Sequence, residues 1–151
     1  MRKRLSVLLC VFLFSCMVTG ALAQSISCPE AHLVLTVPDD WNRGSLSGKD
    51  DPGLCLLVGN RDLTLSVYID DTGGLLPDSF QVFTGDDTES FSVVLSGMQM
   101  TCVAGKSSEG NYRIYTWLDR RNQVQFYFLI TGNTGASRSL IDEIMNSIEW
   151  K

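Results

Sequence analysis

The sequence has 151 residues, of which 44% are hydrophobic and 19% charged, and its formal net charge is −5. This length and composition fit one globular domain with an ordinary core and exclude a disordered chain. The acidic balance argues against nucleic acid and anionic lipid surfaces as partners, because both are bound through clustered Lys and Arg.

The N-terminal segment has the pattern of an export signal. Residues 2–4 are Arg-Lys-Arg, residues 5–17 are mostly apolar, and residues 21–23 (Ala-Leu-Ala) match the small-x-small pattern before a cleavage site. We therefore expect a signal peptide over 1–23 and a single domain over 24–151, secreted or periplasmic and without a transmembrane span. Loss of three of the 12 basic residues with the signal leaves 9 against 17 acidic residues, a net charge of −8.

Two other interpretations of this segment stay open. Cleavage after Ala23 makes Gln24 the N-terminus, but residues 13–16 (Leu-Phe-Ser-Cys) also form an imperfect lipobox, with a bulky Phe14 where a small residue is usual. Its use would anchor the protein through a lipid on Cys16. The apolar run also approaches the roughly 18 residues that span a bilayer, so an uncleaved anchor is the third interpretation.

Three cysteines lie outside the signal: Cys28, Cys55 and Cys102. An odd number permits at most one internal disulfide, which export would allow. All three pairings are open, and so is the alternative of three buried thiols that pack as small hydrophobic groups.

Alternating apolar residues predict strands over 31–37 and 63–69, and a continuous apolar run predicts another over 54–58. The last two form a hairpin. Pro38-Asp39-Asp40-Trp41 is a predicted turn after the first strand, from which Trp41 folds back onto the core. Residues 70–85 are expected to be a loop with an extended piece at 80–84.

A helix is predicted next. Asp86 and Glu89 resemble a capping box, the apolar spacing of Phe91, Val94 and Leu95 is helical, and Gly97 is placed to end the helix.

The second half repeats this order. Residues 98–103 alternate as a strand, and 112–118 with 124–131 form a second hairpin about the turn at 119–122. A closing helix starts near Ser137, carries an apolar stripe, and is followed by Trp150, whose ring is expected to pack against the sheet. The order of three strands, a helix, three strands and a helix predicts an α+β fold: a single antiparallel sheet of about six strands packed against two amphipathic helices.

The element order, together with the Val37-Pro38-Asp39-Asp40-Trp41 turn, resembles the PsbP-like superfamily. That group includes the extrinsic photosystem II subunit, a Ran-binding factor and many small exported bacterial proteins. The similarity covers about residues 31–150. It implies a fold and a tendency to bind or assist, not to catalyse, and transfers no site residue.

Catalytic groups are few. The sole histidine, His32, lies on the first predicted strand, and no Gly-x-Ser-x-Gly sequence occurs. Because a nucleophile needs a base beside it, the enzymatic alternative is a thiol- or His-dependent hydrolase that pairs His32 with a cysteine.

No cluster of Cys and His suits zinc, and we expect neither a metal nor a cofactor. Four Asp-Asp pairs lie in predicted turns, where Asp hydrogen-bonds its own turn. Convergence of two pairs on one end of the sheet would instead form a weak Ca²⁺ site. The pairs are Asp39-Asp40, Asp50-Asp51, Asp70-Asp71 and Asp86-Asp87.

Aromatic residues offer a candidate binding surface. If the predicted sheet turns Leu63, Val67, Val124, Phe126 and Phe128 to the core, other aromatic side chains face away and form a recognition patch. Its candidate members are Tyr68, Tyr115, Trp117 and Tyr127. The alternative is that a helix or loop covers the patch and makes it a second core layer.

These features predict an exported, non-enzymatic binding or accessory domain. The expected partner is a protein or another component of the cell envelope, and the oligomeric state is left open. A structural envelope protein without a small ligand is a further alternative.

Overall fold

The computed structural model describes residues 22–46, 51–71, 87–108 and 110–151. These ranges contain strands, one short 3-10 helix (Pro29–Ala31) and one α-helix. The elements are β1 (Leu22–Cys28), β2 (Leu33–Pro38), β3 (Asn42–Arg43), β4 (Leu54–Gly59), β5 (Leu63–Asp70), β6 (Glu89–Leu95), β7 (Met98–Ser107), β8 (Gly110–Asp119), β9 (Val124–Gly132), α1 (Arg138–Asn146) and β10 (Glu149–Trp150).

The strands form two sheets. The small sheet has the order β1-β2-β10, and the large sheet has the order β3-β4-β5-β9-β8-β7-β6, with every neighbouring pair antiparallel. The predicted α+β fold, with a single sheet packed against two helices, is therefore wrong. The described chain is mostly β, with two sheets and one α-helix.

The helix predicted within residues 86–97 is a strand where the structure describes it. In β6, Phe91, Val93 and Leu95 face the core, whereas Val94 is 68% exposed. The apolar residues of this stretch fit both the two-residue spacing of a strand and the spacing of a helix. Pairing with β7 along its whole length makes it a strand. The predicted cap, residue 86, lies outside the described residues, as does the extended piece predicted at 80–84.

Gly97, which was expected to end that helix, instead forms a hairpin turn together with Ser96. Ser96 and Gly97 have φ angles of 50° and 71°, the positive values that a two-residue turn matched to strand twist requires. Ser96 also reaches the end of α1: its hydroxyl lies 2.8 Å from the carbonyl oxygen of Asn146 and 2.9 Å from that of Ile148.

The local predictions of both hairpins are confirmed. β4 and β5 pair across the predicted turn, and β8 and β9 do so about residues 120–123. The helix expected near Ser137 is α1, and Trp41 is buried after the Pro38 turn, as predicted. No helix in the described ranges is long and apolar enough to cross a bilayer.

The core lies between the two sheets. Leu35 and Val37 of the small sheet are fully buried against Leu65 and Phe128 of the large sheet. Helix α1 packs on β2 and β6 and adds its apolar stripe to the same core. At one end of this sandwich the sheets are joined by aromatic rings.

Candidate functional site

Three aromatic rings meet where the sheets end. Trp117 of β8 and Phe126 of β9 are register partners, and their ring centroids lie 5.5 Å apart. Trp150 of β10 packs on both, with centroids 4.6 Å from Trp117 and 4.8 Å from Phe126. Its indole N–H points at the sulfur of Met98, at 2.9 Å. This aromatic cluster therefore connects the small sheet with the large one.

The aromatic cluster lines an open cleft of about 1420 Å³. Its walls include residues 30–32, which connect β1 to β2, residues 150–151 at the end of β10, and residues 116–122 of β8 and its turn. Outward-facing Thr101 and Thr116 also line it, so the cleft continues onto the outer face of the large sheet. Small-molecule pockets measure roughly 300–1,000 Å³, so this cleft suits a segment of a larger partner better.

The β8–β9 turn presents two arginines at the cleft. Asp119 organises this turn: its carboxylate accepts the side-chain N–H of Asn122 at 2.7 Å and the backbone N–H of Arg121 at 3.0 Å. The hydrogen bond from Asn122 lowers the pKa of Asp119. Arg120 and Arg121 are exposed, and neither guanidinium has an ion-pair partner in the part of the chain that the structure describes. Both cationic side chains are thus exposed to an acidic partner, although the charge of Arg121 also helps to lower the pKa of Asp119.

The opposite rim carries His32 and Lys151. His32 is exposed, follows the 3-10 helix with a φ of 51°, and accepts the backbone N–H of Lys151 at its carbonyl, at 2.7 Å. The sequence predicted that His32 lies on the first strand, but the residue precedes β2. Glu30 also lines this rim, so the cleft carries charges of both signs.

The four aromatic residues of the predicted binding face lie on opposite sides of the large sheet. Tyr68 and Tyr127 are register partners on the outer face, buried in a small cluster with Tyr112. Tyr115 and Trp117 point inward to the main core. Tyr68 and Tyr127 are only 4% and 2% exposed, which matches the alternative of a second core layer.

Trp117 is therefore the one predicted aromatic residue that reaches the cleft. The sequence predicts that Trp150 packs against the sheet but does not connect it with Trp117. It predicts the two arginines only as part of a turn. The position of the two arginines could have been predicted. A hairpin that turns at residues 119–122 places the side chains of the turn near Trp117 and Phe126.

Two of the three thiols face each other. Cys28 and Cys55 are within hydrogen-bonding range, which lowers the pKa of Cys28 and raises that of Cys55. Cys102 is fully buried elsewhere in the core, and burial raises its pKa to about 11. Among the described residues no hydrogen bond joins His32 to any cysteine, so the thiol–histidine pair of a hydrolase is not assembled there.

The aspartate pairs do not converge where the structure describes them. Asp40 accepts a hydrogen bond from Asn60, and Asp51 accepts one from the hydroxyl of Tyr68. Within residues 22–46, 51–71, 87–108 and 110–151, no three His, Cys, Asp or Glu side chains are grouped to hold a metal ion. Residues 50 and 86 lie outside these ranges.

The fold is similar to that of known structures. The solution structure of cyanobacterial PsbP (CyanoP) from Synechocystis sp. PCC 6803 matches with a TM-score of 0.58 and 18% identity, over 92% of this chain and 99% of that chain. The chain has a PsbP-like fold. The resemblance inferred from the Pro-x-x-Trp turn and the element order is thus confirmed for the fold.

A second similar structure is a protein from Bacteroides thetaiotaomicron. It matches this chain with a TM-score of 0.56 and 16% identity, over 87% of this chain and 49% of that one. The chain thus spans about half the length of the Bacteroides protein. No protein-family model matches the sequence, and no curated protein matches it.

Proposed function

We propose that this PsbP-like chain is an exported, non-enzymatic binding domain, and that the cleft at its aromatic cluster holds a segment of a partner protein of the cell envelope. The observation that carries the proposal is that two partly exposed, contacting tryptophan rings lie in the same cleft as two exposed arginines. Tryptophan and arginine are the residue types that most often dominate the energy of protein interfaces.

The partner chemistry follows from the cleft. The Trp117–Trp150 surface favours an apolar or aromatic side chain, and Arg120 with Arg121 favours a carboxylate next to it. A short extended segment that carries both groups satisfies these contacts. The PsbP-like fold supports an accessory role, as the sequence resemblance implied, and the absence of a thiol–histidine pair in the described residues removes support from the hydrolase alternative.

Export is supported by the basic, apolar and small-residue pattern of residues 2–23. The expected product is a secreted or periplasmic protein that starts at Gln24. Intact mass of protein isolated from its native host tests this. A lipid-modified Cys16 at the N-terminus would replace the proposal by a membrane-tethered domain, and an unprocessed chain that remains inside the cell would contradict export.

Site-specific photo-crosslinking tests the cleft directly. Leu118 is 45% exposed and lines the cleft, whereas Leu46 is 39% exposed and does not. A photoreactive phenylalanine analogue at Leu118 should capture an envelope protein in the native host, and the same analogue at Leu46 should not. The crosslink should be lost on Trp117→Ala and retained on Trp117→Phe.

A charge-reversal series tests the arginines. Arg121→Glu should weaken the Leu118 crosslink about tenfold or more, since one charge-assisted contact becomes a repulsive one. Arg61→Glu is the matched control, because Arg61 is an exposed arginine in the β4–β5 turn and does not line the cleft. Equal losses from both reversals would show a general charge effect and reject the cleft as the site.

A further inference from the structure

The two sheets meet at a pair of cysteines. Cys28 is the last residue of β1 in the small sheet and is 1% exposed, and Cys55 is the second residue of β4 in the large sheet. Both belong to the same core, and their side chains are within hydrogen-bonding range of each other. The pair therefore spans the boundary between the sheets.

An irregularity in β4 directs Cys55 to this position. The β4–β5 register shifts between Leu54 and Leu56, so Cys55 is the extra residue of a β-bulge. Leu54 packs on the outer cluster, whereas Cys55 and Leu56 both contribute to the core between the sheets. Bulges commonly re-aim one side chain, and here the redirected side chain is the thiol that meets Cys28.

A neighbouring contact holds the end of β1 against the large sheet. The guanidinium of Arg43, in edge strand β3, donates to the carbonyl oxygen of Ser27, the residue before Cys28. Cys28 itself lies 3.8 Å from the carboxylate of Glu30, and Cys55 donates to the carbonyl oxygen of Val67 at 3.2 Å. The bond from Arg43 thus anchors the backbone next to Cys28, and a disulfide would replace the two contacts that the thiols make.

We propose that Cys28 and Cys55 form a disulfide that cross-links the small sheet to the large sheet. Each thiol loses its proton, and the two sulfurs together give two electrons to a disulfide donor, which is a thiol–disulfide oxidoreductase in a cell or oxidised glutathione in solution. One S–S bond forms between the two Sγ atoms, and the donor's S–S bond is converted to two thiols. Cys102, buried away from the pair, remains a thiol.

Peptide mapping of the full chain tests the link without any partner. The folded protein is incubated with oxidised glutathione, denatured, alkylated and digested with trypsin. Cleavage at lysine and arginine leaves Cys55 alone in residues 50–61 and Cys102 alone in 62–106, while Cys28 lies in residues 5–43 with the two leader cysteines. The expected result is 50–61 joined to 5–43 through Cys28, with Cys102 alkylated.

Variants identify the bonded sulfurs. Cys28→Ser should abolish the linked peptides, and Cys102→Ser, the matched control, should retain them. If Cys28→Ser does not fold, fragmentation of the wild-type linked peptides still reports which cysteine of 5–43 is bonded. An alkylated Cys55 in oxidised wild-type protein, or a link from Cys55 to any other cysteine, overturns the proposal. Neither result bears on partner binding at the cleft.

Discussion

The ring of Trp150 lies against that of Trp117, with centroids 4.6 Å apart and planes inclined by 42°. Trp150 belongs to the small sheet and Trp117 to the large one, so this contact joins the two sheets. Each ring is half-buried, because the cleft leaves one side of the stack open.

Trp150→Ala should therefore lower the free energy of unfolding by about 2–4 kcal/mol, because it removes a large, half-buried ring and its two aromatic contacts. Urea denaturation measures this change. Trp150→Phe should recover about half of the loss, since it keeps an aromatic contact with Trp117. A loss below about 0.5 kcal/mol for the alanine variant, the usual range for surface positions, would contradict the packing role.

Trp41 behaves differently, because its ring is 2% exposed and its indole N–H has no hydrogen-bond partner in the described structure. Trp41→Ala should cost about 3–5 kcal/mol through the cavity it leaves. Trp41→Phe should cost under about 1.5 kcal/mol, because removal of an unsatisfied buried donor offsets part of the lost volume. Thermal and urea unfolding of both variants test this, and similar losses for the two would show that the N–H is paired.

Alkaline pH should destabilise the fold through Tyr115 and Cys102. Burial raises the pKa of Tyr115 from 10.0 to about 12 and that of Cys102 from 9.0 to about 11. Both groups are neutral in the folded protein, so their contribution is complete below pH 9.0. It is lost as the pH rises through 11 and 12, because the unfolded chain releases these protons first.

The melting temperature should accordingly be level up to pH 9 and fall above it. Tyr115→Phe should make the fall above pH 10 shallower, while the part due to Cys102 remains. Absorbance of tyrosinate during a pH titration gives an independent measurement. Ionisation of all tyrosines near pH 10 in folded protein would contradict the predicted burial of Tyr115.

Ser96 couples a hairpin turn to the end of the helix. Its hydroxyl lies near the carbonyl oxygens of Asn146 and Ile148, and its backbone N–H donates to the side chain of Asn146 at 3.1 Å. Ser96→Ala should cost about 1–2 kcal/mol, since it leaves carbonyl groups at the helix end without this donor. Ser96→Gly is the control, because glycine relieves the positive φ but also lacks the hydroxyl; it should be the more stable of the two variants. Urea denaturation ranks them, and an unchanged Ser96→Ala would contradict the capping role.

Local features of this fold were predictable from sequence, and the reason is physical. β4 with β5 and β8 with β9 are hairpins whose pairing is fixed by a short turn and alternating side chains. The apolar residues at 91–95 fit both a helical and a strand periodicity, and only pairing with the edge of β7 selects the strand. The small sheet was missed for two reasons. β1 buries only Ile26 and Cys28, so its alternation is weak, and β10 pairs with β2 from more than a hundred residues away, a contact that no local pattern encodes.

The candidate site was predictable only in part for the same reason. Trp117 was singled out as an aromatic binding residue, but its partner Trp150 arrives from the far end of the chain. The assignment of faces within β8 also needed the register with β9, which puts Tyr115 opposite Phe128 and Trp117 opposite Phe126 on the core side. Strand alternation alone permits either face, because both faces of this sheet carry buried aromatic residues.

The pairing of β2 with both β1 and β10 has a consequence for the order of events during synthesis. One neighbour of β2 precedes it in the chain, and the other consists of Glu149 and Trp150. A chain delivered from its N-terminus, by a ribosome or through a membrane pore, therefore keeps one edge of β2 unpaired until these residues emerge. Contacts between distant segments also slow folding. Completion of the small sheet, and with it the Trp117–Trp150 contact, thus follows the emergence of Glu149 and Trp150, so the cleft is not assembled before these two residues are available.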